Sequence, residues 1–230
     1  MDNYRPYIAE ALGTFALIFV GAGAVCADHV LRQNGGAGLG LLGISIAVGL
    51  VVATMVYALG YISGCHINPA ATVAFWVTNR IEANKAVFFI ASQLVGAVAG
   101  GYLLGILFPQ AIASVHLGAI SLGKGVTLSQ GILMEFILTF LLVLVIFATA
   151  IDQRSPRGFA GLAIGVVMLI GVMVGGPITG GSMNPARVFG PAVASGFFVN
   201  HLVYWVGPIL GGIAAGLLYD NVFAENRKRQ

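Results

Sequence analysis

One short phrase occurs twice in the chain and limits every fold open to it. The copies are His66-Ile67-Asn68-Pro69-Ala70 and Ser182-Met183-Asn184-Pro185-Ala186-Arg187, with their Asn residues 116 positions apart. Pro suits the first position of a helix, where the N–H it lacks would have no partner, and Asn suits the cap before it. Pro69 and Pro185 are therefore read as half-helix starts. The apolar stretch after each is about ten residues, roughly half of what a helix needs to cross a hydrocarbon layer of about 30 Å. Each phrase predicts a half-helix that begins inside a membrane. If Asn68 and Asn184 cap through their carboxamide oxygens, each side-chain NH2 is left to donate to something in front of the helix.

The membrane setting follows from composition. Of 230 residues, 58% are hydrophobic and 8% charged, with a mean hydropathy of +0.95, whereas soluble domains carry about a quarter charged residues. The length accommodates six spans in a single all-α membrane domain over residues 1–230. Spans are predicted at about 8–26, 40–61, 84–108, 128–151, 159–175 and 201–219, with half-helices at 69–78 and 185–195. A polar break at 28–38 separates the first two. The net charge of +3 does not imply nucleic acid, because placement of the charges matters more than their sum. Cys26 and Cys65 lie in apolar or small-residue surroundings with no metal-ligand or disulfide spacing. No metal or cofactor is implied.

The second half of the chain repeats the first. Glu10, Thr14 and Phe15 match Glu135, Thr139 and Phe140 at one offset, and Gly96 and Gly100 match Gly207 and Gly211 at another. The repeats cover about 1–115 and 121–230, with three spans each. Three is odd, so the second repeat must enter from the opposite side, giving inverted repeats with a shared site near the midplane. Arg5, Arg80, Lys85, Arg154, Arg157, Arg227, Lys228 and Arg229 fall on one side, against Arg32 and Lys124 on the other. That asymmetry predicts cytoplasmic termini. Arg187 is the cation left over; it lies inside the second half-helix, where charge is costly and marks function. The spaced glycines read as packing positions between helices, and Gln93, Tyr204 and Trp205 as packing or interface groups.

The paired Asn-Pro-Ala half-helices, the inverted three-span repeats, Arg187 directly after the second Ala, the Ile62-Ser63-Gly64 lead-in and the matched Glu10 and Glu135 resemble the aquaporin, or major intrinsic protein, family. The likeness runs along essentially the whole chain. It implies a right-handed bundle of six transmembrane helices and two half-helices, one pore per subunit, a homotetramer in the lipid bilayer, and passive flow of water or small neutral solutes. It places Asn68 and Asn184 at the pore midplane and His66 toward a cytoplasmic vestibule. An outer constriction would comprise Val48, Val172, Gly181 and Arg187. Glu10 and Glu135 would hold loop N–H groups. The barrier to cations from two facing helix N-termini and an Arg is already described for aquaporin-type pores. A cell membrane is the expected location, and catalysis is not expected.

Within the family, strict water channels usually carry an aromatic and a His at the first two constriction positions, and glycerol facilitators two aromatics. Two Val residues and a Gly remove bulk and polar partners together. The resemblance therefore implies a wide, apolar filter that admits glycerol, urea or neutral metalloid hydroxides such as arsenite. Val188, Ala192, Tyr204 and Trp205 instead resemble the strict water-channel pattern. Two other classes use similar residues. A proton-coupled transporter could use Glu10 and Glu135 as a relay, and an intramembrane serine hydrolase could use Ser63 and His66. Uphill accumulation under a pH gradient would mark the first; for the second, the Ser63-to-His66 stretch recurs only partly in the other half.

Overall fold

The computed structural model describes residues 4–156 and 158–225; Arg157, Arg227, Lys228 and Arg229 lie outside the described residues. Among the described residues the chain is helical, with no strand. The main helices are α1 (Arg5–Gln33), α2 (Gly40–Ser63), the short α3 (Pro69–Val77), α4 (Ala83–Leu107), α5 (Leu128–Ile151), α6 (Ala160–Gly175), the short α7 (Pro185–Ser195) and α8 (Val203–Phe223). Two minor turns, Ala111–Ser114 and His116–Gly118, sit between the halves. Helices α1, α2, α4, α5 and α8 are long and apolar enough to cross a membrane. The 16 residues of α6 are apolar throughout, and turns with Gly176 N–H on the Val172 carbonyl and Thr179 N–H on the Gly175 carbonyl lengthen it.

Local chemistry sets the helix ends. Thr127 Oγ1 accepts from Gln130 N at 3.3 Å while Gln130 Oε1 accepts from Thr127 N at 2.9 Å, a capping box that starts α5. The first helix runs further than the expected 26, through a π turn at Ile18–Ala22 and on to Gln33. The polar residues taken for a break extend it instead. Arg32 Nε donates to Asp28 Oδ2 at 2.9 Å one turn away, and Asp28 Oδ1 accepts from Gly40 N at 2.7 Å, which joins the end of α1 to the start of α2.

The two halves pack alike. Helix α1 lies on α4 and α2, as α5 lies on α8 and α6, and α2 meets α6 between the halves. The short helices are exchanged: α3 of the first half rests on α8, and α7 of the second on α4. Glycines permit this closeness. A Cβ on Gly49 would lie 2.6 Å from the Gly165 carbonyl oxygen and one on Gly165 2.5 Å from that of Gly49; Cβ atoms on Gly96 and Gly211 would collide with the Ala11 and Phe136 carbonyls. Lipid-like apolar side chains such as Leu50, Val95, Ile106 and Leu133 cover the outside, whereas Glu10, Gln93, Glu135, Asn68, Asn184 and Arg187 are buried. This is a multi-pass membrane bundle of two inverted repeats.

Candidate functional site

The starts of α3 and α7 meet inside the bundle. Asn68 Oδ1 accepts from Ala70 N at 2.8 Å, and Asn184 Oδ1 from Ala186 N at 3.0 Å and Arg187 N at 3.3 Å, so both carboxamides cap their helices. Their Nδ2 groups then cross over: Asn68 donates to the Met183 carbonyl and Asn184 to the Ile67 carbonyl, each at 2.8 Å. An amide nitrogen carries two hydrogens. The side-chain NH2 is therefore half engaged by the opposite loop, not wholly free, and one hydrogen on each Asn remains. The crossing requires left-handed backbone just before each Asn, at Ile67 (φ 41) and Met183 (φ 54), with further left-handed pairs at Gly64 and Gly180 and at Cys65 and Gly181. All three pairs are separated by 116 residues.

A buried carboxylate stands behind each loop. Glu10 Oε1 accepts from His66 N (2.9 Å) and Ser63 Oγ (2.6 Å), and its Oε2 accepts from Ile67 N (2.7 Å). Glu135 repeats the set, with Oε1 accepting from Ser182 N (2.9 Å) and Thr179 Oγ1 (2.6 Å) and Oε2 from Met183 N (2.7 Å). The buried N–H groups of strained loops need acceptors, and these carboxylates supply them. Gln93 and Tyr204, read from sequence as packing groups, take part: Gln93 Nε2 donates to Glu10 Oε2 at 2.7 Å, and Tyr204 OH donates to the Thr179 carbonyl at 2.8 Å.

A cavity of about 440 Å³ runs from Asn68 and Asn184 to the loop at Asp152–Gly158. Its walls are mostly apolar, including Val52, Val56, Leu142, Ile146, Ile164 and Met168. His66 and Phe75 line it and also a neighbouring cavity of about 380 Å³ that contains Arg80 and Lys85. At the mouth, Asp152 is held by Arg154 and by Tyr219 OH (2.7 Å), while Arg154 Nη2 donates to the Phe223 carbonyl at 2.7 Å. Hydrogen bonds from Arg154, then from Tyr219, hold the Asp152 carboxyl well below the usual carboxylate range.

Beyond the Asn pair, Arg187 is buried and its Nη1 donates to the Gly118 carbonyl at 2.8 Å. Val48 and Val172 are buried within one apolar cluster, and Gly181, at φ +63, backs directly onto α6: a Cβ there would lie 2.8 Å from Val172 Cα. None of these four lines the 440 Å³ cavity, which ends at the Asn pair.

Residues 1–219 match the family described as "Major intrinsic protein". The chain belongs to the major intrinsic protein family. Relatives include aquaporin TIP4-4 of Zea mays, 42% identical over 95% of this chain and 86% of its own length, and the lens fiber major intrinsic protein of Lithobates pipiens, 45% identical over 94% and 80%. The solved structure of the aquaglyceroporin from Plasmodium falciparum superposes with a TM-score of 0.85 at 25% identity, covering 96% of this chain and 97% of that one.

This major intrinsic protein is a channel protein, and its junction holds no catalytic pair. Ser63 Oγ is turned to Glu10, and His66 Nδ1 contacts Thr72 Oγ1 at 3.2 Å, so the serine and the imidazole do not address one another. His66 is bonded by its side chain to a hydroxyl, not to loop backbone. Arg187 has a carbonyl partner instead of a carboxylate. Among the described residues no cluster of three His, Cys, Asp or Glu could hold a metal. Sequence reasoning missed Thr72, Gly118 and Thr179 as members of the junction. One signal was available: Ser63 and Thr179 are hydroxyl residues at the same separation as the two Asn.

Proposed function

We propose that the chain is a passive channel for water and small uncharged solutes whose path passes between Asn68 and Asn184. One observation carries the reading: the two Asn side chains bond reciprocally to the opposite loops at the inner end of a large cavity. Helices α3 and α7 point their N-termini at each other, each equivalent to about half a positive charge. The remaining Asn hydrogens offer two donors to a passing oxygen, and a cation meets only repulsion, reinforced by Arg187. Glu10 and Glu135, bonded to loop N–H and hydroxyl groups, act as supports and not as a proton relay.

Val48, Val172, Gly181 and Arg187 form the selectivity filter in this reading. The missing side chain of Gly181 would point into the α6 backbone, so the breadth of the opening rests on the two valines. Small apolar walls with one guanidinium suit glycerol, urea and neutral metalloid hydroxides such as arsenite; the likeness to an aquaglyceroporin agrees with this. His66 faces the cytoplasmic vestibule. Arg80 and Arg154 pair with Asp220 and Glu225 at the end of α8, while Arg32 pairs with Asp28 at the end of α1, which supports cytoplasmic termini in a cell membrane. Four copies assemble, one pore each.

Light scattering from proteoliposomes tests the solute range. Uptake of glycerol, urea and arsenite-sized neutral hydroxides should exceed that of empty vesicles, and Val172→His or Val48→Phe should lower solute uptake more than water flux. Fast water flux with solute uptake at the empty-vesicle level overturns the wide filter in favour of a strict water channel. Uphill accumulation driven by a pH gradient overturns passive flow.

A further inference from the structure

The inverted repeat contains its own control. The two carboxylates, the two hydroxyls and the loop N–H groups make the same bonds in both halves, but among the matched positions that differ, three are joined in the first half: His66 against Ser182, Thr72 against Val188, and Gln93 against Tyr204. A half-helix does not need the first member of each pair, because α7 is held without it. In the first half the three residues form one hydrogen-bonded chain. Gln93 Nε2 lies 2.7 Å from Glu10 Oε2 and 3.0 Å from Thr72 Oγ1; Thr72 Oγ1 lies 3.0 Å from the Asn68 carbonyl oxygen and 3.2 Å from His66 Nδ1.

The donors and acceptors along this chain favour one direction for each bond. Turning Gln93 over would set its Oε1 against the Glu10 carboxylate, so its NH2 must face Glu10 even though Oε1 is then buried without a partner among the described residues. Both amide hydrogens are committed, one to Glu10 and one to Thr72. Thr72 accepts from Gln93 and gives its own hydrogen to the carbonyl four residues back, as helical Thr commonly does. That arrangement leaves one lone pair on Thr72 Oγ1 for a proton from His66 Nδ1. Nε2 then carries no hydrogen. A Cβ on Gly64 would lie 3.4 Å from Nε2, and Gly64 and His66 both border the two cavities. Phe75 and Phe89 pack against the ring at centroid distances of 4.2 and 5.3 Å.

We propose that Gln93 and Thr72 are positioning residues that hold His66 with Nδ1 protonated, so that Nε2 accepts a hydrogen bond from the permeating water or solute hydroxyl beside the Asn pair. The proposal rests on the conduction reading above. Asn68 and Asn184 offer only donors there, so a molecule bound through its oxygen turns its own hydrogens along the path. A bare Nε2 on the wall of the same cavity supplies an acceptor for one of them.

Solid-state NMR of the full chain, labelled with 15N-histidine in lipid bilayers, reads the tautomer directly; the His66 signal is identified by its loss in His66→Gln. The wild type should show protonated Nδ1 and bare Nε2. Thr72→Val, which installs the residue found at matched position 188, should release that preference, and Thr72→Ser should restore it. Water permeability in proteoliposomes should fall about two- to tenfold in Thr72→Val, the range one net hydrogen bond is worth, and recover in Thr72→Ser. A wild-type ring protonated at Nε2 overturns the proposal. So does a Thr72→Val channel whose tautomer changes while its flux does not. Wild-type vesicles no more permeable than empty ones, with Nδ1 protonated, overturn the conduction reading instead.

Discussion

Glu135 is fully buried, yet its oxygens meet two backbone N–H groups and a hydroxyl instead of a cation. Glu135→Ala would orphan both N–H groups, at about 1–3 kcal/mol each. Its thermal unfolding midpoint in detergent should drop well below that of Glu135→Gln, which keeps one acceptor oxygen; equal midpoints would remove the supporting role. Cys65 borders the large cavity, whereas Cys26 is wholly buried in a separate apolar cluster. A mercurial should therefore slow water flux in the wild type and leave Cys65→Gly, which carries the residue of matched Gly181, unaffected. Inhibition that persists in Cys65→Gly would contradict this. At this scale the sequence exposed only residues that are distinctive by type or by repetition. Asn68, Asn184, Arg187 and the Glu pair stand out; Thr72 and Gln93 look like any polar residue on a buried helix face until their partners are known.

Among the elements, α2 and α6 touch through glycine backbones, Gly49 to Gly165. Gly165→Val would force these helices apart, and overpacking of this kind costs about 1–3 kcal/mol or more; the variant should lose folded yield while an outward-facing change such as Leu50→Val does not. The loop after α5 is tied to the end of α8 by Asp152, Arg154 and Tyr219. Because the folded Asp152 carboxyl titrates below its unfolded value, this tie is fully present above about pH 4 and is lost only as pH falls through the lowered folded value. A carboxyl 13C titration should place Asp152 below the ordinary carboxylate range, and Arg154→Ala should raise it toward that range while the bonds from residue 154 N and Tyr219 OH remain. Helix identity was legible from apolar length and from Asn-Pro starts. Helix ends were less so: the Asp28–Arg32 pair that prolongs α1 depends on a contact with Gly40, and the left-handed Ile67 and Met183 are β-branched or bulky residues that sequence rules place elsewhere.

For the whole molecule, the odd number of spans per repeat already required inversion, and the exchange of α3 onto α8 and α7 onto α4 is how inversion joins the halves. The sequence could not show that the two Asn side chains stitch these halves together, because the bonds run to backbone carbonyls that any residue would supply. This junction is proposed to pass neutral molecules and to refuse charge. Osmotic water flux and proton leak recorded on the same proteoliposomes probe both halves of that proposal together. Water flux should lie well above that of empty vesicles, with proton leak indistinguishable from theirs. Water flux at the empty-vesicle level, or a proton leak that rises with the amount of protein, would contradict it.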